Sequence, residues 1–173
     1  MATIKAKSGT LTLGADGQSV AFASGTTNNL LTPAFEANLS SAQSISDDTF
    51  TKVQFDNEVY DTDNAYDNST NYRFTIPTGK AGKYLIYCTL QLSGDGTTLD
   101  ILDTGLKVYK NGSSVVWNGF GADDSSIADR SVNIAISTVL DLSAADYLEI
   151  YGLVNSVSGT QSIIGDSGSQ KRS

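Results

Sequence analysis

Three long stretches of the chain alternate strictly between apolar and polar residues, and this pattern constrains the fold more than any other feature. In residues 84–92 one set of alternate positions is apolar throughout: Tyr84, Ile86, Cys88, Leu90 and Leu92. Residues 131–140 and 146–154 repeat the pattern. Successive side chains of a strand point to opposite faces, so the alternation predicts half-buried strands. No stretch sustains the spacing of an amphipathic helix, and the sequence therefore predicts an all-β protein.

Turn residues divide the chain into many short strands. Asn111-Gly112 lies between two apolar runs, and Asn-Gly is a strong hairpin signal because both residues tolerate positive φ. The sequence predicts strands at 10–14, 18–23, 33–39, 51–56, 72–76, 83–93, 104–110, 113–118, 131–140 and 146–155, with a short last strand at 161–164. The set that follows residue 33 is typical of a two-sheet jelly roll.

The first 30 residues differ in texture from the rest of the chain. Their only aromatic residue is Phe22, and they end in a Gly/Thr/Asn-rich run at 25–29. Asp16-Gly17 between two apolar runs is a hairpin signal of their own. We therefore predict an N-terminal arm, with a β-hairpin and a linker, over residues 1–33, and a jelly-roll domain over residues 34–173.

Composition argues against several classes of function. The chain of 173 residues has no histidine, one cysteine, one tryptophan and a net charge of −8. Lack of histidine removes Ser-His-Asp and Cys-His triads and His-ligated metal sites, and we predict that the protein is not an enzyme. A basic face for nucleic acid is missing. The sequence has no apolar run of transmembrane length and no apolar signal segment. We therefore expect neither a membrane partner nor secretion. Cys88 lies in an apolar run, where we expect a buried, inert thiol.

Several short motifs occur in an order that resembles a known family. They are Phe55-Asp56, Tyr66-Asp67-Asn68-Ser69-Thr70, Phe74-x-x-Pro77, Gly82-x-Tyr84, Leu106-Lys107 with Lys110-Asn111-Gly112, and Leu140-x-Leu142 followed by Asp146-x-Leu148-x-Ile150. This set is similar to the signature of the C1q-like globular domain of the C1q/TNF superfamily, over residues 34 to about 155. The chain lacks the aromatic-rich closing strand of that family. We expect residues 161–164, or a neighbouring subunit, to replace it.

The resemblance implies a C1q/TNF-like jelly-roll sandwich, here with an N-terminal β-hairpin arm, that packs as three subunits around an axis. Domains of this Asn/Ser/Thr-rich type without a signal peptide look like those of bacteriophage virion proteins. The leading hypothesis is therefore a homotrimeric capsid decoration or cement protein. It would be made in the host cytoplasm, localised to the virion, and attached through its arm to the major capsid protein or another virion protein. The alternative is a receptor-binding tip or adhesin of a tail fibre that recognises its ligand through loops 57–70, 94–103 and 119–130.

Two groups of side chains are candidate sites. Tyr87, Tyr147 and Tyr151 fall on the polar sides of their strands, which suggests contact surfaces, and we predict that they lie in the trimer interface. The alternative is ordinary cross-strand packing. Asp61 and Asp63 place oxygen ligands at alternate positions, as calcium loops do, within an acidic segment. The alternative there is a solvated acidic loop, and we expect no other cofactor.

Overall fold

A computed structural model describes residues 33–95, 101–121, 131–157 and 159–165. Residue 33 also opens the second of the two compact units into which the chain divides. The predicted arm over residues 1–33, with its predicted strands at 10–14 and 18–23, therefore lies outside the described residues except for Pro33. Everything that follows concerns the second unit.

Within these ranges the chain forms only strands, and the all-β prediction is confirmed. The strands are β1 (Phe35–Asn38), β2 (Gln43–Ser44), β3 (Thr51–Lys52), β4 (Asn57–Asp61), β5 (Tyr66–Asp67), β6 (Arg73–Thr75), β7 (Gly82–Asp95), β8 (Ile101–Lys110), β9 (Ser113–Gly121), β10 (Ser131–Leu142), β11 (Tyr147–Ser156) and β12 (Thr160–Ile163).

The strands build two large antiparallel sheets and one small one. A four-stranded sheet has the order β10-β7-β12-β2. A six-stranded sheet has the order β5-β6-β11-β8-β9, with β3 also paired to β11. Strands β1 and β4 form a separate two-stranded ribbon. The two large sheets face each other across one apolar core, as the predicted two-sheet sandwich requires.

Strand β12 replaces the closing strand that the sequence lacks. This short strand pairs with β7 on one side and with β2 on the other, so the chain itself supplies the closing strand. The prediction that residues 57–70 form a recognition loop is wrong, because this segment contains strands β4 and β5. Four of the five residues of β4 are exposed, so no apolar alternation marks that strand in the sequence.

The core lies where the alternation predicts. The inward residues of β7 and β10 meet in register, with Leu90 opposite Ile134 and Cys88 opposite Ile136. Cys88 is buried, as predicted, and burial raises the pKa of its thiol to about 12. Gly152 of β11 also faces this layer, because a β-carbon there would lie 2.9 Å from the Cδ1 atom of Ile163. A larger residue at this position would require the Ile163 side chain to shift.

The aromatic residues of the sequence motifs pack against one another. Phe35 stacks between Tyr66 and Phe74, with both centroid distances at 4.7 Å. Tyr84 meets the edge of Phe74 at 6.0 Å, and the Tyr66 hydroxyl donates to the Phe55 carbonyl at 3.1 Å. The aromatic residues of the motifs that carry the family resemblance therefore serve packing. Together with Phe35 they hold β1, β5 and β6 to the core.

Candidate functional site

The outward side of the four-stranded sheet carries a cluster of exposed apolar side chains. Leu85 and Val139 are direct cross-strand partners, and Tyr87 follows two residues after Leu85 on the same side of β7. Their exposed fractions are 72%, 59% and 67% for Leu85, Val139 and Tyr87 respectively. We call this cluster the apolar face. Its three residues leave an apolar surface in contact with water, which costs free energy unless a partner covers it.

Polar groups border the apolar face at both ends. Lys83 and Asp141 form an ion pair at 3.2 Å immediately before Leu85 and Val139, and both side chains are 75% exposed. At the other end Gln91 lies opposite Asn133. An apolar centre with a polar rim is the usual composition of a protein–protein interface.

A second exposed apolar side chain lies at the edge of the sandwich where β9 and β10 meet. The Asn118 side chain of β9 donates to the Ala135 carbonyl of β10 at 2.8 Å and so ties the two edges together. Phe120, two residues further along β9, is 41% exposed. This edge is separate from the apolar face, although β10 contributes to both.

The outward side of the six-stranded sheet has a different composition. The register aligns one residue from each of four adjacent strands in a row that alternates cation and aromatic ring, namely Lys52 of β3, Tyr151 of β11, Lys107 of β8 and Trp117 of β9. We call this row, together with the adjacent side chains of Phe50, Arg73, Tyr109, Tyr147 and Glu149, the aromatic–cation face. Trp117 is 64% exposed, whereas the other three are half-buried.

Contacts within the aromatic–cation face hold most of its side chains. The Lys107 ammonium lies 3.7 Å from the centre of the Phe50 ring, and Tyr151 packs on Tyr109 at 4.2 Å. The Lys52 ammonium pairs at 2.5 Å with Glu149, whose side chain is only 8% exposed. Most large side chains of this face therefore contact a partner within the chain, whereas Trp117 is mostly exposed to solvent.

The three tyrosines predicted to form the trimer interface do not share a surface. Tyr87 lies on the apolar face, whereas Tyr147 and Tyr151 lie on β11 in the other sheet. The ring of Tyr147 is covered by the Arg73 guanidinium at 4.4 Å. Alternation along a strand shows which residues share a side, but it does not show which sheet the strand joins. The cross-strand packing that was the alternative describes Tyr151.

The carboxylates predicted to bind calcium are engaged in local contacts. Asp61 accepts hydrogen bonds from the backbone N–H groups of Ala65 at 2.5 Å and Tyr66 at 2.7 Å. Asp63 faces the Lys80 ammonium at 3.7 Å. Across the described ranges no group of three or more acidic, cysteine or histidine side chains could hold a metal ion. These two residues do not offer the free, convergent oxygens that calcium needs, and calcium binding stays an untested prediction.

Two further acidic residues of this region accept backbone hydrogen bonds. Asp67 accepts from the backbone N–H groups of Thr70 at 2.9 Å and Ser69 at 3.1 Å, and these bonds lower the pKa of its carboxyl group. Asp56 accepts from the backbone N–H of Ser40 at 2.8 Å, 16 residues away. Asp61 and Asp67 thus stabilise local turns, whereas Asp56 joins two distant parts of the chain.

Comparison with known proteins supports the fold. No family model matches the sequence, and no curated protein matches it. The structure is similar to the Eiger TNF from S. frugiperda, with a TM-score of 0.52 and 12% sequence identity, over 78% of this chain and 85% of that one. The protein is therefore an all-β jelly-roll sandwich of the C1q/TNF-like fold, as the sequence motifs predicted. The part of the chain that the structure describes has no helix able to cross a membrane.

Proposed function

We propose that the protein is a structural component of a bacteriophage virion. In this proposal it is a homotrimer that decorates or cements the capsid and is attached to the major capsid protein or another virion protein through its N-terminal arm, residues 1–33. The observation that carries the assembly part of the proposal is the apolar face, an exposed apolar surface bordered by polar groups.

The partner that best fits the apolar face is another copy of the chain. A closed ring of three subunits needs two different complementary patches on each subunit, because every contact joins unlike surfaces. The described residues offer such a pair. One patch is the apolar face around Tyr87, and the other is the sandwich edge at Phe120. The resemblance to the C1q/TNF superfamily, which packs three subunits around an axis, favours the same state.

The virion assignment is supported by the character of the sequence. The chain resembles the Asn/Ser/Thr-rich C1q-like domains of phage virion proteins, and it has no histidine for the common catalytic triads. Carboxylates of its acidic segment accept backbone hydrogen bonds, which suits a structural module. A net charge of −8 keeps such a protein soluble until it is assembled.

Three experiments test the proposal. Native mass spectrometry of the full chain is expected to give a particle of about three times 18.2 kDa. Electron microscopy of purified virions is expected to locate the chain on the outer surface of the head. Deletion of residues 1–29 should then leave a trimer that no longer binds the particle. Monomers at micromolar concentration, or normal incorporation without the arm, would each contradict the corresponding part.

The aromatic–cation face favours a second candidate function, a receptor-binding tip. This face carries the exposed Trp117, an aromatic ring open to a ligand, and lies on the other sheet from the apolar face. Purified protein that blocks adsorption of the phage to its host would support this function. Stoichiometric incorporation into the head without any effect on adsorption would support the decoration protein instead.

A further inference from the structure

We propose that the aromatic–cation face binds an acidic saccharide, with a sugar ring stacked on Trp117 and its acid group paired with Lys107. The site lies on the six-stranded sheet and needs only one subunit. It therefore stands independently of the proposed trimer and gives the second candidate function a class of ligand.

The first argument is the position of the Trp117 ring. A β-carbon at Gly119 would lie 2.6 Å from the Cζ2 atom and 3.1 Å from the Cε2 atom of Trp117. The indole therefore lies down over Gly119, in space that only glycine leaves open. It is nevertheless 64% exposed. A large aromatic surface that rests on the strand and stays open to water is a flat platform for the C–H face of a sugar ring.

The second argument is the state of Lys107. The register places Lys107 directly beside Trp117, so that their β-carbons are about 5 Å apart. Its ammonium rests over the Phe50 ring at 3.7 Å, and among the described residues no carboxylate pairs with it. Lys52 in the same row is different, because Glu149 neutralises it. Lys107 is thus positioned by an aromatic ring and keeps its charge for an anion.

The third argument is the charge distribution. The chain as a whole carries a net charge of −8, which repels anions from most of its surface. Two further cations lie on the aromatic–cation face, but Glu149 pairs with Lys52 and Asp67 is the register partner of Arg73, so Lys107 is the charge that the row offers to an anion. An acidic saccharide gains an ion pair with Lys107, whereas a neutral one gains only the stacking contact with Trp117.

The shape of the face favours a saccharide over other anions. Tyr151, whose ring packs at a tilt on Tyr109, lies two strands from Trp117, about 10 Å away. Between them Lys107 and the tyrosine hydroxyls supply polar groups along a flat row. Nucleic acid needs several unpaired cations for its phosphates, and the row offers one. An extended acidic peptide is recognised through pockets for its alternate side chains, whereas the row presents the flat, exposed indole of Trp117.

The experiment uses Trp117 as its own reporter, because it is the only tryptophan of the chain. Full-length protein is titrated with oligogalacturonate, oligoalginate, a sialylated and a sulfated oligosaccharide, and with neutral maltohexaose. We expect at least one acidic ligand to change the Trp117 fluorescence in a saturable and salt-sensitive way. Neutral maltohexaose should not produce this change, because it has no acid group to pair with Lys107. Absence of binding by every acidic saccharide, or equal binding of maltohexaose or poly-glutamate, would overturn the proposal.

Variants measured by calorimetry then locate the site. Trp117→Ala should abolish binding, and Lys107→Gln should weaken it about tenfold or more, as loss of a charged hydrogen bond does. The matched controls are Tyr60→Ala and Lys83→Gln, an exposed aromatic and an exposed cation outside this face. Equal losses in the controls would overturn the proposed location. Native mass spectrometry of every variant shows whether assembly is unchanged, so failure of this proposal is distinguished from failure of the trimer.

Discussion

The outward faces of the two sheets differ in how their side chains are satisfied. On the four-stranded sheet Leu85, Tyr87 and Val139 are each more than half exposed, and Leu85 and Val139 are direct cross-strand partners. On the six-stranded sheet almost every large side chain of the row has a described partner: Lys52 has Glu149, and Lys107 has Phe50. The apolar face loses its exposed apolar surface only when another molecule covers it. Most side chains of the aromatic–cation face already have partners within the monomer.

This contrast assigns different roles to the faces. Apolar surface that stays exposed is stabilised by burial against a large apolar partner, and burial of Leu85, Tyr87 and Val139 would contribute about 25 cal/mol for each Å² removed from water. The aromatic–cation face has little exposed apolar surface, so burial against an apolar partner would contribute little free energy. Its open groups, a flat indole and an ammonium, fit a small polar ligand better than a protein interface. The predictions below test this contrast, beginning with the largest effect.

Tyr87→Arg should break assembly and leave the fold intact. An arginine there would place an unpaired charge in the covered interface, which costs roughly 3–5 kcal/mol. Because Tyr87 is 67% exposed in the monomer, the free energy of unfolding should hardly change. Native mass spectrometry is expected to show a species near 18.2 kDa in place of the trimer.

Tyr151→Arg is the matched change on the other face. It removes the ring contact with Tyr109, worth about 0.5–1.5 kcal/mol, and should leave the trimer assembled. If Tyr151→Arg dissociates the trimer and Tyr87→Arg does not, the subunits meet through the six-stranded sheet, and the roles given to the two faces are reversed.

The sequence predicts most of the four-stranded sheet correctly, because its signals are local. Alternation along 84–92 and 131–140 places Leu85 and Tyr87 outward and Cys88 inward, as the structure confirms. A two-sheet sandwich also follows from the short strands and their turns. At the Asn111-Gly112 turn both residues have positive φ, at 52° and 77°, as the hairpin prediction requires.

The aromatic–cation face could not be predicted in this way. Its row depends on the register between β3, β11, β8 and β9, which no local pattern encodes. Lys52 and Glu149 are 97 residues apart, and a buried Glu149 breaks the expected alternation of β11. Strand β11 pairs with β3, β6 and β8, and Tyr151 packs on Tyr109, so Tyr151 is half-buried where the sequence suggested free exposure. Composition marks Trp117 only as the single tryptophan of the chain.

Lys52→Met measures how far the six-stranded sheet depends on its internal ion pair. Loss of Lys52 leaves the Glu149 carboxylate buried without a counter-charge, and we expect a loss of about 2–4 kcal/mol, since Lys52 itself is partly exposed. Urea unfolding in the Tyr87→Arg background separates this effect from assembly. Lys83→Met removes the equivalent pair with Asp141 beside the apolar face, where full exposure to solvent should limit the loss to about 1 kcal/mol or less. Equal losses from the two changes would contradict the difference drawn between the faces.

The smallest effect concerns the clasp at one end of the six-stranded sheet. Asp146 accepts from the Lys110 ammonium at 2.8 Å, from the Asn111 amide at 2.7 Å and from the Ser143 N–H at 2.8 Å. These bonds, with the Lys110 contact first, lower the pKa of its carboxyl group from 3.8 to about 2. A lowered pKa in the folded state means that the stabilisation is complete above the unfolded value and is lost as the pH falls towards the folded one.

The clasp should therefore weaken between about pH 4 and pH 2. Thermal unfolding of Asp146→Asn should start from a lower melting temperature at pH 6 and change less than the parent across that window, because the titrating group is gone. Asp141→Asn beside the apolar face should keep the parent slope, since its pair with Lys83 is three-quarters exposed and screened by water. If both substitutions flatten the profile equally, acid sensitivity is spread over the whole surface, and the six-stranded sheet has no electrostatic clasp of its own.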